Sequence, residues 1–225
     1  MHYEDFIADH GRLAMNVVGE IPGQDPSKIY LLSAHFDSIA SDKSDQSVAP
    51  GALDNATGVA TLLETARVLS QYELPHPVHI VFFDVEEVGL QGSAAFAERA
   101  SREERPYVAG MNIDSVGAAP LPSNQLFVNA TGDSGFIQDS LVAINDANGG
   151  LGIELLPRQN PAIKADEARL NDAGIPTVLL ASVLYGDPMI NRSGDTIDQV
   201  DPFRVLRVAQ IVVLALGSML IGDMG

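Results

Sequence analysis

Glu86 and Glu87 are adjacent carboxylates that follow an apolar run, His79 to Phe83, and precede a glycine-containing, helix-like segment. An apolar run of that length bounded by turn residues predicts a buried strand. In open α/β sheets, ligands sit in the crevice beyond the carboxyl ends of the strands. Two carboxylates at such an exit repel each other and lose hydration unless a proton or a cation intervenes. A solvated loop with surface glutamates would use the same residues, so the pair alone decides nothing. Three other places follow the same pattern, with His35, Asp54 and Asp114 each standing where a strand or turn ends. The chain contains no cysteine, so imidazole and carboxylate are its only strong metal ligands. Together the residues form a credible divalent-metal set: such donors suit Zn²⁺, and carboxylate-rich sites also accept Mn²⁺ or Co²⁺.

The elements that must position these groups alternate along the chain. Strands are predicted over Leu13 to Ile21, Ile29 to Ala34, His79 to Phe83, Tyr107 to Ile113, Leu126 to Asn129, Gly152 to Leu156 and Thr177 to Ala181. Helices are predicted over Val59 to Tyr72, Ser93 to Glu104, Ser134 to Asn148, Asp166 to Asp172 and Pro202 to Leu220. In the first helix Leu62, Leu63, Ala66 and Leu69 recur at helical spacing. Alternation of this kind predicts an α/β fold, a three-layer α/β/α sandwich on a central, mostly parallel mixed sheet with an antiparallel edge. With 225 residues, 46% of them hydrophobic, the expectation is a single catalytic domain over 1–225. Ser41 to Pro50 is polar and reads as a surface loop.

A net charge of −17 repels nucleic acid and anionic membranes, so neither is an expected partner, and it attracts cations. Ile211 to Ile221 is apolar but shorter than the roughly 20 residues that span a bilayer, and reads as the buried face of a terminal helix. The first residues lack a basic start and an apolar core. The expectation is a cytoplasmic protein, or a secreted or periplasmic one if a leader has been removed. Oligomeric state is not legible.

The motifs Ser33-Ala34-His35-Phe36-Asp37-Ser38, Pro50-Gly51-Ala52-Leu53-Asp54-Asn55, Phe83-Asp84-Val85-Glu86-Glu87-Val88-Gly89 and Asn112-Ile113-Asp114 occur in order, followed by Ala173-Gly174-Ile175-Pro176 and Asp195-Thr196-Ile197-Asp198. The set resembles the co-catalytic zinc aminopeptidases of metallopeptidase family 28, whose relatives include glutaminyl cyclases. The resemblance runs from about Asn16 to the C-terminus. It implies that His35, Asp54 and Asp114 hold one zinc ion, and that Asp54 bridges to a second ion held by Glu87. It makes Glu86 the general base for the attacking water and Asp37 the partner that orients His35. It also implies a cis peptide at Asp54–Asn55.

Two positions depart from the pattern. The family supplies a last histidine ligand where this chain has Asn191, and no histidine follows His79. An amide oxygen is a weaker zinc donor than imidazole, so the resemblance implies one firm zinc and a second that is weak or replaced by another divalent ion. Glu167 likewise stands where relatives carry histidine. His76 and His79 read as ordinary strand-start residues, and Arg158 and Arg169 as either carboxylate clamps or plain surface arginines. Tyr185 and Met189 are candidates for a substrate pocket. The function implied is metal-dependent hydrolysis of peptides from the N-terminus. The alternatives are a catalytically silent binding module and a cyclase acting on N-terminal glutamine.

Overall fold

The unbroken apolar runs of the central strands have to be covered on both faces, and two helical layers cover them. The computed structural model describes residues 1–42, 48–119, 124–184 and 186–222. Its strands are β1 (His2–Ile7), β2 (Leu13–Ile21), β3 (Ile29–His35), β4 (Val78–Phe83), β5 (Tyr107–Asp114), β6 (Gln125–Ala130), β7 (Glu154–Arg158) and β8 (Thr177–Ala181). Its α-helices are α1 (Ala56–Leu69), α2 (Gln91–Arg102), α3 (Gly135–Ala147), α4 (Asp166–Asp172) and α5 (Pro202–Gly222). The strands form one sheet in the order β1-β2-β4-β3-β5-β8-β6-β7. From β4 through β3 and β5 to β8 neighbouring strands are parallel, whereas β1, β2 and the β6–β8 pairing are antiparallel.

Every residue of β3 is buried, yet alternate side chains serve different layers, as the pleat requires. Tyr30, Leu32 and Ala34 join Leu62, Ile137, Leu141, Ile211 and Val212 under α1, α3 and α5. Ile29 and Leu31 join Phe83, Phe96 and Leu170 under α2 and α4. The expected three-layer α/β sandwich is the observed fold. Leu63, expected on the buried face of α1, points outward at 58% exposure. Helix α5 is long and apolar enough to cross a membrane by length and composition. Its Val208, Ile211, Val212, Ala215, Leu216 and Leu220 nevertheless lie in the core beside α1 and α3.

Strand β1 was not predicted from the sequence. Its HYEDFI sequence places Glu4 and Asp5 in a strand, where acidic residues are disfavoured. Glu4 is only 2% exposed, and Arg105 bonds its Oε1 at 3.0 Å with Arg99 3.9 Å away. Partners about a hundred positions downstream make that burial tolerable.

Because β4, β3, β5 and β8 are parallel, their carboxyl ends share one edge of the sheet, and α1 must dock close to that edge. Gly58 permits the approach: a Cβ there would lie 2.5 Å from the Ile113 carbonyl oxygen and 2.4 Å from Asn55 Oδ1. We expect Gly58→Ala to cost about 1–3 kcal/mol through overpacking, read as a lower urea midpoint. Gly217→Ala, in α5 with nothing within 4 Å of the added Cβ, is expected to be neutral or to stabilise by up to about 1 kcal/mol.

Candidate metal centre

His35 is the last residue of β3, the strand flanked by β4 and β5, and is 1% exposed. Its Nδ1–H donates to the Asp37 main-chain carbonyl at 3.1 Å. Nε2 is thereby aimed at Asp54 Oδ1, 3.0 Å away, and Asp114 Oδ1, 3.5 Å away. Asp114 ends β5. Asp54 stands just before α1, whose N-cap Asn55 accepts a bond from Gly58 N. The Asp54–Asn55 peptide is cis, as the resemblance implied. Asn55 also donates to the Ile113 carbonyl and accepts from Ser115 N, so a single amide fixes α1 against the end of β5.

Glu86 and Glu87 lie beyond the end of β4 at Phe83. A straight continuation would send their side chains in opposite directions. Val85 instead adopts φ 58°, a left-handed conformation rare for a β-branched residue, and the chain turns there. Asn16 Oδ1 holds Asp84 N before the turn, and the carboxylate of Asp37 accepts Glu86 N at 3.0 Å and Glu87 N at 3.3 Å after it. The role expected for Asp37 therefore changes in detail. Its carbonyl is the nearer partner of His35, its carboxylate lying 3.5 Å from the ring, while that carboxylate chiefly pins the Glu86–Glu87 backbone. Asp195 acts similarly on the other side, accepting Leu53 N at 2.7 Å and Asp54 N at 3.0 Å.

Asn191 reaches the same place from far along the chain. Its φ of 54° is left-handed, and its carbonyl accepts from both Ser41 N and Ser41 Oγ at 2.9 Å. Asn191 Nδ2 donates to Asp54 Oδ2 at 2.9 Å and to Glu87 Oε1 and Oε2 at 3.1 and 2.9 Å. The amide turns its NH₂, rather than its oxygen, to the two carboxylates.

This much negative charge in a half-closed space shifts the titrations. Burial pushes Glu87 up to about 8, with Asp54 adding to the effect, and burial followed by Asp166 and Asp114 raises Glu86 as well, against the pull of His35. Burial raises Asp54. At the start of α4, burial raises Asp166 to about 7 and Glu167 to about 8. For His35 burial opposes the charge, but the Asp114, Asp37 and Asp54 carboxylates outweigh it and hold the imidazole well above its usual range. A cation would relieve all of these shifts. One ligand atom each from His35, Glu86 and Asp114 lie within 4.8 Å of one another. That trio omits Asp54, but the 3.0 Å from His35 Nε2 to Asp54 places Asp54 in the same cluster. Two donors about 2.0–2.2 Å from one tetrahedral ion stand roughly 3.3 Å apart, close to the His35 spacings. The donor set fits zinc.

The groups face a cavity of 390 Å³, lined by Asp54, Glu86, Glu87 and Asp114 together with the apolar Leu179, Val183, Leu184 and Ile190. Lys164, which sequence reasoning did not select, also lines it. Other candidates fall elsewhere. His76 bonds the Asp25 carbonyl, and His79 sits between Tyr107 and Glu20. Met189 packs on the Leu53 and Ile190 cluster without lining the cavity. Arg158 lies over the Phe127 ring and Arg169 donates to the Gly89 carbonyl. Tyr185 lies outside the described residues, as do residues 43–47 of the expected Ser41 to Pro50 loop.

Comparison with known proteins gives a consistent pattern. The profile of peptidase family M28 matches residues 16–216. The aminopeptidase YwaD of Bacillus subtilis is 26% identical over 199 residues, covering 84% of this chain and 40% of its own length. A probable leucine aminopeptidase of Arthroderma otae is 30% identical over 207 residues, covering 86% of this chain and 54% of its own. The crystal structure of BSAP, a zinc aminopeptidase from Bacillus subtilis, superposes with a TM-score of 0.79 at 24% identity, over 93% of this chain and 51% of that one. The chain thus spans about half the length of these three relatives.

The raised pKa values fix the sign of a pH effect in metal-free protein. The folded state keeps protons on Glu87, Asp166 and Glu167 that the unfolded chain, with carboxyls near 3.8 and 4.5, has released. His35, also raised, acts in the same sense, while Asp37, held low by its bonds to His35, opposes. The stabilisation is complete below about pH 4 and is lost as pH climbs to about 8. With a chelator present, Tm should fall across that interval, less steeply for Glu167→Gln, and zinc should restore it at the alkaline end. A flat or rising Tm without metal would contradict the charge crowding.

Proposed function

The chain belongs to peptidase family M28, and from that premise we propose that it is a zinc-dependent aminopeptidase acting on peptides with a free N-terminus. The observation that carries this reading is the convergence of Asp54 and Asp114 on His35 Nε2, at 3.0 and 3.5 Å, beside a carboxylate cavity. His35, Asp54 and Asp114 would hold a zinc ion, and Asp54 and Glu87 would face any second one. Zinc bound there supplies a Lewis acid that polarises the scissile carbonyl and acidifies water. Glu86, beside that point, accepts the proton of the attacking water and returns it to the departing amine. Positive charge nearby brings its raised pKa back towards the working range. Asp37 is the positioning residue, bonding the Glu86 and Glu87 amides and sitting beside His35. The apolar wall of Leu179, Val183, Leu184 and Ile190 accommodates the substrate's side chain. The relatives favour neither the silent module nor the cyclase.

Asn191 modifies the second position. Its Nδ2–H groups already satisfy Asp54 and Glu87, and offering Oδ1 to an ion would break those bonds. This supports one firmly held zinc and a second that is weak or exchanged for an oxygen-preferring ion.

Release of nitroaniline from leucine p-nitroanilide by zinc-loaded protein tests the activity. Glu86→Gln should lower kcat by about 10²–10⁴-fold while zinc content is unchanged; undiminished turnover would remove Glu86 from the reaction. Metal analysis after exhaustive dialysis should find one zinc per chain, rising to two in Asn191→His. Two retained by the unaltered protein would overturn the weak second position.

A further inference from the structure

The cavity has a polarity that the metal site does not require. Its charged lining is anionic at Asp54, Glu86, Glu87 and Asp114, and the one cation among the described lining residues is Lys164. In a chain with 30 acidic side chains against 13 lysines and arginines, an exposed lysine has acidic partners within reach, although water alone can solvate it. Lys164 forms no hydrogen bond or ion pair with any described residue, although acidic groups line the same cavity. It is exposed and lines a cavity wide enough for a small ligand.

The main chain carrying Lys164 is fixed on both sides. Ahead of it, Ile163 N bonds the Asn160 carbonyl and Ala162 N bonds Asn160 Oδ1, and Asn160 is itself doubly bonded to Asn129. Behind it, Ala165 N donates to Glu167 Oε2 at 3.0 Å. Ile163 and Ala165 pack against Leu179, Ala181 and Leu184. The lysine stem therefore starts from a rigid strap, which reduces the entropy lost when its head group captures a ligand.

We propose that Lys164 is a specificity-determining residue that receives a carboxylate on the residue following the scissile bond. This rests on the aminopeptidase reading. A peptide would place its N-terminal amine among the cavity's carboxylates and its own carboxylate on Lys164, opposite charges meeting at both ends. The carboxylate has two possible sources: the C-terminus of a dipeptide, or an acidic side chain at that position of a longer peptide. Arg158 and Arg169, the two arginines considered as carboxylate clamps from the sequence, do not line the cavity.

The test is calorimetric binding to zinc-loaded Glu86→Gln protein, which reads affinity whether or not the parent turns over. The ligands are Leu-Ala, its carboxamide Leu-Ala-NH₂, and Leu-Glu-NH₂. An exposed pair reinforced by hydrogen bonding predicts about tenfold tighter binding of a carboxylate ligand than of Leu-Ala-NH₂. Adding Lys164→Met should reduce that ratio to near one, and Lys164→Arg should restore most of it. Preference for Leu-Ala alone supports the proposal with the peptide terminus as source, and preference for Leu-Glu-NH₂ supports it with the side chain as source. Equal binding of all three, binding of none, or a preference that survives Lys164→Met overturns it. The peptidase reading fails separately, if zinc-loaded parent protein releases no nitroaniline from leucine p-nitroanilide.

Discussion

Repulsion among carboxylates held partly out of water is the constraint around which this molecule is arranged. Asp54, Asp114, Glu86 and Glu87 crowd one imidazole at the carboxyl edge of the sheet, where burial opposes the charge of Asp54, Glu86 and Glu87. Left to themselves these groups would swing to water or take up protons. The fold prevents the first by bonding the backbone around them, and a divalent ion removes the need for the second. The sheet thus supplies rigidity and the cation supplies charge, and neither alone produces a usable site.

Much of that restraint is exerted through main-chain amides rather than through the acidic groups themselves. Asp37 holds the amides of Glu86 and Glu87, Asp195 those of Leu53 and Asp54, and Asn55 spans Gly58, Ile113 and Ser115. The residues flanking the acidic ones thereby set where each carboxylate originates. Asn191 belongs to both sets, because its carbonyl is anchored by Ser41 while its amide bridges Asp54 and Glu87. A neutral NH₂ between two carboxylates eases the crowding only partly, in keeping with the raised pKa of Glu87.

The core strands and the acidic exits were legible in the sequence because both follow from local patterns. Apolar runs such as Ile29 to Ala34 have no other stable place than a covered sheet, and His35 and Asp114 lie directly at strand ends. What could not be read was long-range. Strand β1 is explained by Arg105, about a hundred positions away, and the hold of Asp195 on Leu53 spans 142 positions. The convergence of Glu86 and Glu87 depends on a left-handed valine that local preference argues against. Lys164 carries no motif, and only the folded cavity gives it a role. Asn191 was visible as a departure, but which face of its amide meets the carboxylates required the fold.

The contact between Asn191 and Asp54 joins residues 137 positions apart. Closing so wide a loop is an entropic expense met late, once the intervening strands have found their neighbours. The cleft therefore cannot close until Asn191 has left the ribosome and folded back onto Asp54.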